Sequence, residues 1–166
     1  WVRDTALRLR QEGIELTILS ATRTFKEQKW IWENKWNGKV LYYGKNIATS
    51  YPEPLERAKF ILKYSSMPGT SRHHWGTDID LNSMELAYFN TDTGKKMYAW
   101  MNKNATGFGF CQPFTQKDSL RTNGYEEEKW HWSYYPLSSQ YLKQFDQKIS
   151  YDKLKGFDGS ETAKSL

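Results

Sequence analysis

A single cysteine, Cys111, among 166 residues excludes an internal disulfide and any zinc knuckle built on thiolates. Placed after Gly109 and Phe110, it reads as a small core residue rather than a nucleophile. Long apolar runs are missing as well. Mean hydropathy is -0.84, and no stretch approaches the roughly 18 to 20 apolar residues a membrane helix needs, so no span is expected. The basic excess is small, a formal +5 with a pI near 9.1, and Lys and Arg are scattered rather than gathered into a block. A nucleic-acid partner is therefore not expected, while an anionic envelope polymer is compatible with the charge. Repeats, low-complexity tracts and an obvious linker are absent. The chain opens on Trp1 rather than Met, with no apolar signal segment behind it, and is expected to be a trimmed or processed product.

Aromatic residues are plentiful: 8 Trp, 11 Tyr and 8 Phe, far from the composition of a disordered chain. A mass of 19.6 kDa suits one domain over residues 1–166, since two cores would each have little to bury. Apolar spacing predicts a helix over 1–12 with Gly13 as its stop, and β-branched residues predict a buried strand over 14–19 that delivers Arg23 to a loop. Thr24 with Glu27 three residues on forms a capping-box signature for a helix over 25–36, ended by Asn37-Gly38. Residues 40–54 read as a surface loop or short hairpin, and Pro54 opens a helix through Tyr64. Strands are predicted over 77–81, 108–114 and 130–134, and helices over 91–104 and 137–148. Residues 150–166 fit a short helix or a mobile tail equally. The order lacks a regular βαβ rhythm, so the expected class is α+β, a small antiparallel sheet with helices packed on one side.

Only three histidines occur, His73, His74 and His131. The first two lie in Pro68-Gly69-Thr70-Ser71-Arg72-His73-His74-Trp75-Gly76-Thr77-Asp78-Ile79-Asp80, the third in Glu126-Glu127-Glu128-Lys129-Trp130-His131-Trp132. A catalytic zinc takes three His or carboxylate ligands and keeps one position open, and two His with one Asp can be drawn from these segments. No HExxH helix is present, so the helical zincin geometry does not apply. Pro68, Gly69 and Gly76 argue against a helix here, which places His73 on a loop that folds back toward Asp80 on the following strand. Taken singly, each residue has a plainer reading, since buried histidines and aspartates are mostly packed, hydrogen-bonded groups.

Ser71-x-His73-x-x-Gly76-x-x-x-Asp80, followed by Glu128-x-Trp130-His131, resembles the zinc signature of the D-alanyl-D-alanine carboxypeptidase family related to VanY and VanX, the LAS metallopeptidases of peptidase family M15. Ser20-Ala21-Thr22-Arg23-Thr24-Phe25-x-x-Gln28 resembles that family's strand-to-helix segment, and Gly107-Phe108-Gly109-Phe110 its strand before the second motif. The resemblance implies a hedgehog/DD-peptidase-like fold, with Zn2+ held by His73, Asp80 and His131. It further implies Glu128 as general acid/base, Arg23 as oxyanion donor, and Ser71 and Gln28 as groups that bind the substrate's terminal peptide. The implied activity is hydrolysis of the peptidoglycan stem peptide, first as a carboxypeptidase releasing terminal D-alanine. The alternatives are an L,D-carboxypeptidase or endopeptidase of the same family, or a non-catalytic cell-wall-binding module on this fold. The implied location is the bacterial cell envelope, periplasmic or extracellular, and the chain is expected to act as a monomer.

Three departures from the family pattern bear on the site. Asp78 replaces a small residue and, two positions before Asp80, shares its strand face, where it either supports a ligand histidine or competes for the metal. His74 is an extra imidazole, expected to make no metal contact. Lys129 is a cation beside Glu128, expected to lower the pKa of that carboxyl. Trp75, Trp130 and Trp132 are expected walls of a peptide groove.

Overall fold

The computed structural model describes residues 13–166, so the helix expected over 1–12 lies outside the described residues. The described part is α+β. Four short antiparallel strands form the sheet: β1 (Ile18–Ser20), β4 (Asp78–Leu81), β5 (Phe110–Cys111) and β6 (His131–Tyr134), in the order β1-β4-β6-β5. A separate hairpin pairs β2 (Leu41–Tyr42) with β3 (Lys45–Asn46). Its turn places Tyr43 at φ 50 and Gly44 at φ 71, the two left-handed residues that a tight hairpin turn matching strand twist requires.

Among the described residues five α-helices accompany the sheet: α1 (Phe25–Trp36), α2 (Ile47–Ser50), α3 (Pro54–Ile61), α4 (Asp92–Asn104) and α5 (Tyr135–Lys148). The capping box at the start of α1 is formed, with Thr24 accepting from the Glu27 amide and the Glu27 carboxylate accepting from the Thr24 amide. Asn37 ends the helix. Thr91 caps α4 by accepting from the Gly94 amide. A Cβ on Gly94 would stand 2.1 Å from the Tyr88 carbonyl oxygen, so the residue that weakens the helix signal is the one that lets the helix begin there.

Two apolar clusters form the core. In one, Met97, Trp100 and Met101 of α4 pack with Leu81, Phe110, Trp130 and Trp132 of the sheet region. In the other, Trp32 and Trp36 of α1 pack with Ile47, Ala58, Ile61, Phe157 and Ala163. Tyr64 touches both.

Three expectations need correction. The buried strand over 14–19 is a three-residue edge strand, with Ile18 and Leu19 45% and 46% exposed. The strand over 108–114 is two residues long. Phe108 belongs to a 3-10 turn and Gly109 turns the chain at φ 81, while Pro113 has no amide to extend the ladder. The C-terminal segment is docked rather than a loose tail. Phe157 is buried, and the Trp32 indole donates to the Asp158 carbonyl at 2.8 Å.

Candidate metal and catalytic centre

The site is assembled by strand register. β4 and β6 pair so that Asp80 faces His131 and Asp78 faces Ser133, which puts two carboxylates and one imidazole on a common face of the central strands. His73 comes from a 3-10 turn, Arg72–Trp75, closed by Gly76 at φ 70. That turn is stitched to the exit of β1. The Arg23 amide donates to the His73 carbonyl at 3.0 Å, and the His74 Nδ1 lies 2.7 Å from the Arg23 carbonyl. The Gly69 amide donates to the His74 Nε2 at 3.1 Å, so His74 braces the loop and is not part of the metal-ligand cluster.

His73, Asp80 and His131 are all buried, with one ligand atom of each within 4.8 Å of the others. The tautomers follow from their partners. His73 Nδ1 lies 2.7 Å from the Ala21 carbonyl, which can only accept, so the proton sits there and the Nε2 lone pair faces Asp80 Oδ2 at 3.2 Å. His131 Nε2 lies 2.8 Å from Asp78 Oδ1, leaving Nδ1 facing Asp80 Oδ1 at 3.2 Å and Glu128 Oε2 at 3.4 Å. Asp80 Oδ1 is buried with no hydrogen-bond partner, a costly state for a carboxylate oxygen unless a cation is its counterpart. Ligands of a tetrahedral zinc, at the usual bond lengths near 2.0 to 2.1 Å, stand about 3.3 Å apart. The two 3.2 Å separations, one from each Asp80 oxygen, are close to that edge, and the His/Asp/His donor set gathered within 4.8 Å suits a zinc ion.

Asp78 supports this cluster. Its Oδ1 accepts from Arg72 Nε at 2.9 Å and its Oδ2 from Thr77 Oγ1 at 2.6 Å and Ser133 Oγ at 3.1 Å. Burial alone would raise its pKa, but the contacts with His131, Arg72 and Thr77 bring it down to about 2. Carboxylate-bound imidazole of this kind fixes the ring orientation of a metal ligand. The geometry therefore assigns Asp78 to support of His131.

Glu128 is buried beside the cluster, and burial, reinforced by Asp80, pushes its carboxyl up to about 8 against the opposing pull of His131, Lys35 and Arg23. Lys129 is not among the groups in that balance. It reaches Glu127 at 3.8 Å and lies over the Tyr98 ring, which corrects the expectation drawn from its place in the chain. Glu126 pairs with Lys117 at 2.8 Å, away from the cluster.

Arg23 donates to Gln28 Oε1 at 2.7 Å and to Ser20 Oγ at 2.9 Å, and stands 3.8 Å from Asp80. Gln28 is fully buried, and its amide nitrogen donates to the Ser66 carbonyl at 2.7 Å. Both ends of the side chain are engaged by the protein, and Gln28 thereby orients Arg23. Ser71 is buried and lines the cleft.

The cleft over this centre has a volume of about 640 Å³ and is lined by Arg23, Ser71, His73, Asp80, Glu128 and His131, with Leu41 to Gly44 of the hairpin and Lys35 among its walls. Of the three tryptophans expected as walls, Trp130 lines it. Trp132 is buried in the core, and Trp75 lies in a neighbouring groove under the Arg72 guanidinium. Sequence reasoning missed Lys35, Phe114 and Tyr125 as cleft residues. For Lys35 a signal existed: it follows Gln28 and Ile31 at helical spacing, on the flank of the helix that leads from Arg23.

Comparisons with known proteins bear on the family and the fold. The family model VanY, D-alanyl-D-alanine carboxypeptidase, matches residues 4–137. An uncharacterized protein of Haemophilus influenzae is 31% identical over 98 residues, 52% of this chain and 73% of that one. The Bacillus subtilis protein named "Putative carboxypeptidase YodJ" is 30% identical over 131 residues, 75% of this chain but only 40% of that longer protein. Among solved structures, a VanY D,D-pentapeptidase in complex with Zn(II) superposes with a TM-score of 0.61 at 22% identity, covering 97% of this chain and 78% of that one. The LdcB LD-carboxypeptidase does so with a TM-score of 0.56 at 19% identity, covering 95% and 74%; at these identities the likeness is one of fold. With the family match spanning most of the sequence, this chain belongs to the VanY D-alanyl-D-alanine carboxypeptidase family.

Proposed function

We propose that this chain is a zinc-dependent peptidase of the bacterial cell envelope, a single catalytic unit that hydrolyses the peptidoglycan stem peptide as a carboxypeptidase and releases terminal D-alanine. The observation that carries the reading is the convergence of His73 Nε2, His131 Nδ1 and the orphaned Asp80 Oδ1 beside the buried Glu128. The solved relative VanYB holds D-Ala-D-Ala, which supports the same substrate class here. His73, Asp80 and His131 would hold the zinc, and a bound zinc supplies Lewis acidity that brings water toward a pKa of about 7.

The chain's own residues do the rest. Glu128 takes the proton of the attacking water and returns it to the leaving amine. Burial makes this carboxylate a stronger base than an exposed one, which suits it to accept a proton and pass it on. Arg23 is fixed by Gln28 and Ser20 at the cleft wall, a prepaid donor for the oxyanion of the tetrahedral intermediate. Ser71 offers a hydroxyl to the terminal peptide.

The test is incubation with stem peptides of defined stereochemistry, with and without chelator, followed by mass analysis. Loss of one terminal D-alanine that stops with chelator is the expected result, and the D,D and L,D substrates are separate arms. Glu128→Gln is expected to slow turnover by roughly 10²- to 10⁴-fold while the protein still carries zinc. Full zinc occupancy in the unsubstituted protein with no cleavage of any stem peptide would instead favour a cell-wall-binding module.

A further inference from the structure

Among the described residues three Lys or Arg side chains line the cleft, Arg23, Lys35 and Arg72. Two are committed to protein partners: Arg23 to Gln28, Ser20 and Asp80, and Arg72 to Asp78 and Ser133. Lys35 is different. It sits in the last turn of α1, one helical turn beyond Ile31 and at the edge of the face that carries the core anchors Trp32 and Trp36, where it lines the cleft. Its ammonium lies 4.2 Å from the centre of the Tyr42 ring. Among the described residues it has no hydrogen bond and no ion pair. An ammonium half removed from water without an anion is an unfavourable arrangement that a ring face only partly offsets. Burial, and then the charge of Arg23, bring its pKa down to about 8 while Glu128 opposes them, so Lys35 and Glu128 feel each other's charge across the cleft.

We infer that Lys35 is a specificity-determining residue whose ammonium receives the C-terminal carboxylate of the peptide substrate. The inference rests on the peptidase reading and deepens it. A carboxylate at the end of the chain is the one feature that separates a carboxypeptidase substrate from an internal peptide bond. A cation near the acid/base carboxyl, with no protein anion assigned to it, is where that charge gains most. The hairpin residue Tyr42 holds the ammonium in place through its ring, so the hairpin and α1 together build the terminus-binding end of the cleft. Another carboxylate elsewhere in the stem peptide has the same chemistry, and the test must separate the two sources.

Zinc-loaded Glu128→Ala protein, which binds without turnover, is titrated calorimetrically with one stem peptide as the free acid and as its C-terminal amide. The same titrations are run with Lys35→Met and Lys35→Arg added. The acid is expected to bind at least about tenfold more tightly than the amide, Lys35→Met to remove that preference, and Lys35→Arg to restore part of it. Unchanged zinc content and circular dichroism exclude a folding defect. Equal binding of acid and amide, or no binding of either, overturns the inference. So does a loss in Lys35→Met that is the same for both peptides, which points to a carboxylate inside the peptide or to a role in packing. Cleavage by the unsubstituted protein is scored separately. An acid preference that depends on Lys35 without turnover leaves the inference standing and sinks the peptidase reading, and turnover indifferent to the terminal carboxylate does the reverse.

Discussion

Asp78 accepts hydrogen bonds from a threonine, a serine, an arginine and the imidazole of His131, so its charge is felt chiefly through the ring it orients. Replacing it with Asn keeps the shape and removes the charge. Zinc affinity, measured against a competing chelator, is expected to fall about tenfold or more in Asp78→Asn, and an unchanged affinity would assign the carboxylate to folding alone. His131 has a complementary acid–base property. Burial alone would lower its pKa, but Asp78, Asp80 and Glu128 raise it to about 9. Nε2 keeps its proton for Asp78, so the proton that a metal must displace is the one on Nδ1. Below pH 9 each unit of acidification is therefore expected to weaken zinc binding by up to about tenfold through this group. Competition titrations at pH 6, 7 and 8 check the slope, and a flat profile would mean that the imidazole is already neutral without metal.

Secondary-structure elements differ in how far the sequence specifies them, for local reasons. The helices whose ends carry their own chemistry were readable: Thr24 with Glu27, Pro54, and Thr91 each satisfy or remove orphan amides within a few residues. The edge strands were not. Around β1 the chain finds partners outside the ladder, with Asn82 accepting from the Thr17 amide and donating to the Glu15 carbonyl, a pairing set by residues far along the chain. The ligand triad was readable because the residue types are scarce and their order is specific. The error over Lys129 arose because adjacency in sequence does not give direction, and the lysine whose charge acts on Glu128 comes from α1. Gly94 was the reverse case, a helix weakener in isolation that tertiary contact demands. Gly94→Ala is expected to destabilise the fold by about 1–3 kcal/mol through overpacking against the Tyr88 carbonyl, seen as a lower urea midpoint with the slope unchanged.

At the scale of the whole molecule, the C-terminal segment supports the site from behind. Phe157 stands edge-on to Trp32 and Phe25 at ring centroid distances of 6.1 and 6.5 Å, and Lys29 and Trp32 of α1 donate to the Gly156 and Asp158 carbonyls. The helix held in this way is the one that carries Gln28 and Lys35. Phe157→Ala is expected to cost about 3–5 kcal/mol of stability, read by denaturant melts. Any loss of activity in that variant at temperatures where it stays folded would report movement of α1. The register that sets Asp80 opposite His131 has a consequence for a protein that has no disulfide to draw on. An ion gripping both side chains, with His73, would fasten the two central strands and the distant turn into one closed loop. It would act as a removable cross-link, stiffening the chain when metal is abundant and loosening it when metal is stripped away.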